Sequence, residues 1–185
     1  MSQKLYVQQP AKSYREGQIY DISDPVVIES QVDIILNGTM IARLACSPVN
    51  LEELATGFLC SEGLVKGNGD LIKIESEDNK VFVYTRSQLS KSPDQVHFVN
   101  TGMGTGGSLT YPGPEPAIAV NASVTFQADH LLKLISILND TSYTFQKTGG
   151  VHSAGLGDKD KLIVRFEDIG RHNAVDKCFG FACIN

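Results

Sequence analysis

Several common devices are missing from this sequence. No Cys-x-x-Cys pair occurs among its four cysteines, Cys46, Cys60, Cys178 and Cys183. That removes the cysteine pair a zinc deaminase needs, and His152-Ser153-Ala154 also lacks the glutamate of the deaminase His-x-Glu signature. Each cysteine sits in an apolar run, where a thiol behaves as a small buried hydrophobe, and this usage fits a reducing, cytoplasmic setting. No apolar run approaches the length of a membrane span. Met1 to Arg15 is polar and has no apolar signal core. Positive charge is scarce too: 16 Lys and Arg stand against 21 Asp and Glu, for a net charge of -5. That balance excludes a broad nucleic-acid or anionic-membrane surface and leaves room for a small basic pocket. No internal repeat relates the two halves.

What is present is an ordinary globular composition, 42% hydrophobic and 20% charged over 185 residues, enough for one good domain or two small ones. Residues 1–24 read as an extended entry segment, with Tyr6, Tyr14 and Tyr20 as anchors. Residues 25–100 read as a small ββαββ domain. Its first two strands meet at Asn37-Gly38, a strong hairpin signal. Asn50, with Glu53 three residues on, predicts a capped helix over Leu51–Glu62. Apolar residues 51, 54, 55, 58 and 59 give that helix one face, read as core packing without chemistry, and Gly63 ends it. Leu71–Glu75 and Lys80–Arg86 predict a second strand pair, and Gln95–Asn100 a short strand.

Residues 101–116 form a Gly/Pro-rich loop. Gly102, Gly104 and Gly107 satisfy G-x-G-x-x-G, but Pro112, Pro114 and Pro116 forbid the helix a dinucleotide fingerprint requires. The loop reads as a joint between domains or as a lid over a site. Residues 117–185 then read helix, strand, strand, helix. The first helix spans Ala128–Asn139 with Leu131, Leu134, Ile135 and Leu138 on one side, and Asp140–Lys147 connects it onward.

The stretch Thr148–Lys177 carries the densest chemistry. An apolar strand from Val151 to Leu156 and another from Leu162 to Phe166 flank a polar turn, and the second runs through Glu167-Asp168-Ile169-Gly170 into a helix. Ala174, Val175, Cys178, Phe179, Ala182 and Cys183 predict that helix's apolar face. Arg171, His172 and Asn173 then fall in its first turn, where free N–H groups and the helix dipole favour an anion. Arg171 suits a phosphate fork, with Lys177 beside it; Asp168 and Asp176 can orient these cations or accept from a guanine edge. His152 reads as a ligand contact or an acid–base group, with Ser153 next to it. The plainer alternative has Asp168 capping the helix, His172 and Asn173 facing water, and His152 satisfied by a backbone carbonyl.

Three blocks resemble the FdhD family of formate dehydrogenase accessory proteins. They are Asn37-Gly38 with Leu44–Pro48 and Leu51–Gly63, then Thr148–Ala154, and Glu167–Lys177. The resemblance implies a small N-terminal α+β domain and a cytidine-deaminase-like α/β/α domain, here partial. It implies a cytoplasmic sulfur carrier, often a homodimer. Such a carrier takes sulfur as a persulfide from a cysteine desulfurase and passes it to the molybdenum cofactor, a bis-molybdopterin guanine dinucleotide, for formate dehydrogenase. It also implies a Cys-x-x-Cys loop near Thr101–Ser108 and further chain beyond Asn185. At the loop this sequence has Gly102-Met103-Gly104-Thr105-Gly106, the glycine frame without cysteine. The resemblance therefore assigns Gly102, Gly104 and Gly106 to cofactor contact alongside His152, Ser153, Asp168, Arg171, His172, Asn173, Asp176 and Lys177, with no bound metal. The second reading is a non-catalytic protein of the same ancestry that binds a guanine nucleotide such as GDP, or the pterin dinucleotide.

Overall fold

The computed structural model describes residues 5–88, 125–159 and 161–185, together with the backbone of 97–99. The chain opens with a long hairpin, β1 (Tyr6–Arg15) against β2 (Gln18–Val27), turned at Glu16-Gly17 with both φ angles positive. Of the three tyrosines expected to anchor this region, Tyr6 does so: its hydroxyl lies 2.9 Å from Lys147 Nζ. Tyr14 and Tyr20 are exposed.

Next come β3 (Ser30–Leu36) and β4 (Thr39–Cys46), joined at Asn37-Gly38, where φ of 48° and 82° gives the tight hairpin turn that this dipeptide favours. Helix α1 (Leu51–Ser61) follows, then β5 (Leu71–Glu77), β6 (Lys80–Thr85) and the short β7 (His97–Val99). The five strands from β3 to β7 make one mixed sheet in the order β5-β6-β3-β4-β7. Strand β6 pairs parallel to β3 because α1 and β5 carry the chain across between them.

The core lies between this sheet and α1. Val32, Ile34 and Leu36 alternate inward from β3 and meet Leu44, Val81 and Val83, with Leu51, Leu54, Ala55, Phe58 and Leu59 from the helix. All five helix positions expected on the apolar face are buried. The expected cap is not. Asn50 sits in the left-handed region at φ 55° and makes no side-chain bond to the first turn. The other end closes as expected: Gly63, at φ 72°, donates to the Cys60 carbonyl, and Leu64 donates to that of Leu59.

The second half contains α2 (Ala128–Thr141), α3 (Tyr143–Thr148), the β8 (His152–Gly157) and β9 (Leu162–Asp168) hairpin, and α4 (Arg171–Ile184). Helix α3 occupies the stretch expected as a connector. Its first turn is fixed by the Glu167 carboxylate, which accepts from the N–H groups of Thr144 and Phe145 at 3.2 and 2.8 Å. Helix α2 rests Leu134 and Leu138 over the space above Gly157 and Gly155 of β8. Leu131 and Ile135, expected on the same face, remain exposed.

Helix α4 joins the two halves by crossing α1 at glycines. A Cβ on Gly57 would lie 1.8 Å from the Asp176 carbonyl oxygen, and one on Gly180 would lie 1.8 Å from that of Glu53. Only the missing side chains let the two backbones approach so closely. The inner face of α4 therefore matches only in part the one its apolar residues predict, through Ala174 and Cys178. Asn173, Ala174, Lys177, Cys178 and Gly180 are buried, while Val175 and Phe179 stand exposed.

Candidate functional site

The β8–β9 register sets His152 opposite Asp168, two residues before the Gly170 that opens α4. The start of β8 and the start of α4 thus share one end of the hairpin. Here the polar groups that the sequence gathers separate into two sets.

The first set is buried. Asp168 and Lys177 have no side-chain exposure, and their Oδ2–Nζ distance is 2.6 Å. Asp168 Oδ2 also accepts from the Ser47 N–H at 3.1 Å, while Oδ1 accepts from the Gly170 N–H and from Asn173 Nδ2, both at 2.9 Å. Asn173 Nδ2 donates as well to the Ala45 carbonyl at 2.8 Å, and the Ser47 hydroxyl accepts from the Ile169 N–H at 3.1 Å. The carboxylate thus has four donors, one of them a full positive charge, which is what a buried charge requires. Asn173 and Lys177, expected with Asp168 to meet a ligand, both donate to the Asp168 carboxylate. The reason is helical geometry. Residues 173 and 177 are one turn apart on the inner face, and Asp168 lies beneath them at the end of β9. They lock the entrance of α4 to the β4–α1 turn.

The second set faces solvent. Arg171 and His172 are exposed in the first turn of α4, and His152 is exposed at the start of β8. The N-cap residue is Gly170, which has no side chain to occupy the first-turn N–H groups. These three side chains and the helix start form a small donor-rich lip, with the Arg171 charge on it, on a chain of negative net charge. Ser153 differs from its neighbour: its hydroxyl is buried and has no hydrogen-bond partner among the described residues.

Asp176 stands between the sets. It is half-buried, accepts from the Ser61 hydroxyl at 2.7 Å, and feels the charge of His172. Burial pushes its carboxyl up to about 6 despite those two favourable contacts. Gly102, Gly104 and Gly106, assigned to cofactor contact from the loop, lie outside the described residues. A cavity of about 230 Å³ lies away from the lip, lined by Asn50, Leu51, Glu52, Glu53, Ser76 and Asp78.

The same blocks that build this end of the molecule fall inside a match to the model of the FdhD/NarQ family, which covers residues 27–185. The chain belongs to the FdhD/NarQ family. Similar FdhD proteins include the sulfur carrier protein FdhD of Bacillus pumilus (strain SAFR-032). It is 34% identical over 177 residues, covering 93% of this chain and 68% of that one. The sulfur carrier protein FdhD of Bacillus subtilis (strain 168) is 32% identical over 190 residues, covering 100% of this chain and 72% of that one. A solved structure from Desulfotalea psychrophila, provisionally named as a formate dehydrogenase accessory protein, superposes with a TM-score of 0.72 at 26% identity. It covers 96% of this chain and 66% of that one. The chain thus spans about two thirds of the length of these FdhD relatives. No described helix is long and apolar enough to cross a membrane.

Against that FdhD background the thiols are informative. Cys46 is fully buried in the core, and burial, with the Asp168 charge second, pushes its thiol up to about 12. Burial alone pushes Cys178 up to about 11. Neither offers the accessible, acidic thiolate that accepting sulfur requires. Cys60 and Cys183 are half-buried, and their Sγ atoms lie 3.0 Å apart. Sequence spacing gave no sign of that meeting, since the two residues lie on different helices.

Proposed function

We propose that this FdhD-family chain serves formate dehydrogenase as an accessory protein of the sulfur-carrier type in the cytoplasm. Its partners in this reading are a cysteine desulfurase as sulfur donor, formate dehydrogenase as recipient and a second copy of the chain as dimer mate. Its cargo is the molybdenum cofactor in its bis-molybdopterin guanine dinucleotide form. The observation that carries the reading is the exposed Arg171–His172 pair at the open start of α4, held in place by the buried Asp168–Asn173–Lys177 cluster. A phosphate of the cargo accepts from the Arg171 fork and from first-turn N–H groups, and His172 and His152 add donors. Asp168, Asn173 and Lys177 act here as positioning residues rather than contacts.

The sequence lacks cysteine between Thr101 and Ser108, so a persulfide in this chain must use one of the four thiols at 46, 60, 178 and 183. Two measurements separate docking from carrying. Calorimetry with GDP should give heat for wild type and none for Arg171→Ala; equal heat for both, or none for wild type, sinks the docking half. A bacterium deprived of its own FdhD protein should recover formate dehydrogenase activity when given this chain. Failure to recover it, with GDP heat intact, leaves the binding protein without covalent sulfur as the better reading.

A further inference from the structure

Helices α1 and α4 carry the same short pattern at their crossing, Gly57-Phe58-Leu59-Cys60 on one and Gly180-Phe181-Ala182-Cys183 on the other. In each, the cysteine lies three residues past the glycine, hence on the same face of the helix. The glycines bring the backbones into direct contact, and the cysteines meet beside them with Sγ atoms 3.0 Å apart, closer than ordinary non-bonded sulfur contact. We propose that Cys60 and Cys183 form a reversible disulfide that staples α1 to α4. A bond length of about 2.05 Å requires the sulfurs to close by about 1 Å, within reach of small side-chain rotations.

The oxidant is a low-molecular-weight disulfide, R–S–S–R. Cys183 loses its proton to solvent and attacks one sulfur of R–S–S–R, forming a mixed disulfide and expelling R–S⁻. Cys60 then loses its proton and attacks the Cys183 sulfur, forming the Cys60–Cys183 bond and expelling the second R–S⁻. Both leaving thiolates take up protons from water. Two protein thiols are oxidised and one small disulfide is reduced to two thiols. Burial and the neighbouring Cys183 push the Cys60 thiol up, and the exchange balances identically if Cys60 attacks first. Both residues are half-buried, so a small disulfide reaches them, whereas Cys46 lies in the core. In a reducing compartment such a bridge is a transient response to oxidation rather than a permanent staple. The inference does not depend on the accessory role.

The test uses the whole chain. Reduced wild type is equilibrated with oxidised glutathione, quenched in acid, unfolded, alkylated and peptide-mapped. Two of the four thiols should disappear, in a single cross-linked peptide pair holding Cys60 and Cys183, while Cys46 and Cys178 stay alkylatable. Dithiothreitol should restore all four, and Cys183→Ser should give no internal cross-link. Four alkylated thiols at the highest glutathione disulfide used would overturn the proposal. So would glutathione stranded on Cys60 or Cys183 without a bridge, or a bridge that recruits Cys46 or Cys178.

Discussion

Helix α4 has an inner face and an outer face, and they obey different rules. Its inner face buries Ala174 and Cys178 but is held by Gly180 against α1, by Asn173 on the Ala45 carbonyl and by Lys177 on Asp168. Its outer face shows Arg171, His172, Val175 and Phe179 to solvent. Hydrophobicity alone would have turned Val175 and Phe179 inward together with Ala174 and Cys178. What turned it is the cost of leaving Asp168 buried without a partner, together with a backbone approach that any side chain at Gly57 or Gly180 would block. Polarity in this segment is therefore a poor guide to exposure. The buried ionic groups hold the helix, and the exposed ones are free to meet something else.

The sharpest way to break this comparison is to fill the crossing. Gly180→Val puts a branched side chain where even a Cβ meets the Glu53 carbonyl oxygen at 1.8 Å, so backbone has to move. We expect a loss of roughly 3 kcal/mol or more, or failure to fold. Gly57→Val should behave alike, and urea unfolding measures both. Gly63→Ala serves as the contrast: nothing lies within 4 Å of its added Cβ, and only the positive φ of 72° opposes it. Unchanged urea midpoints for the two valine variants would mean the helices do not cross this closely.

Next in size is the ion pair. Lys177→Met removes the charge opposite a fully buried carboxylate and should cost about 3–5 kcal/mol. The double variant Asp168→Asn/Lys177→Met removes the stranded charge as well, and should regain more than half of that loss. Strict additivity of the two single substitutions in denaturant melts would show that Asp168 and Lys177 are uncoupled.

These two experiments concern what the sequence did not reveal. The ββαββ order, the Asn37-Gly38 turn, all five buried positions of α1 and the end of that helix at Gly63 were legible, because each rests on local signals: period, turn chemistry, a glycine stop. So was the presence of a helix from Arg171. Its rotation was not legible, because it is decided by Ser47, Ala45 and Glu53, residues over a hundred positions away. The Asn50 cap failed for a similar reason: a left-handed backbone at that position turns its side chain from the first-turn N–H groups. The candidate site was legible as a location but not as a division. One motif, Glu167–Lys177, supplies Glu167 to the start of α3, Asp168, Asn173 and Lys177 to the interior, and Arg171 and His172 to solvent. Spacing alone does not separate those roles when the partner surface is unknown.

Asp176 offers a smaller test of the boundary between faces. Its folded value of about 6 lies above its ordinary 3.8, so the native state holds the proton more tightly than the unfolded chain. Stability from this group is therefore present below about pH 4 and is lost as pH rises through about 6. Asp176→Asn should relieve the penalty at pH 7.5 by about 1–2 kcal/mol, discounted for partial exposure, and change little at pH 4. The amide oxygen still accepts from Ser61. Urea midpoints for Asp176→Asn and wild type that differ equally at both pH values would assign the effect to packing instead.

The smallest stability change carries the functional weight. Arg171→Ala removes an exposed side chain from a helix whose hold on the rest of the molecule lies on the opposite face, so unfolding should move by no more than about 0.5 kcal/mol. The same substitution should abolish GDP heat, because the guanidinium fork is the one permanent charge in the first turn of α4. His172→Ala should weaken that heat less, because it removes a single ring donor rather than a bidentate fork. Lys177→Met, examined at a temperature where it remains folded, should lose GDP heat only in proportion to any displacement of the helix start. The comparison of faces then reduces to one contrast. Stability should follow residue 177 and ligand heat should follow residue 171, and a variant panel in which both properties track the same residue would dissolve the distinction.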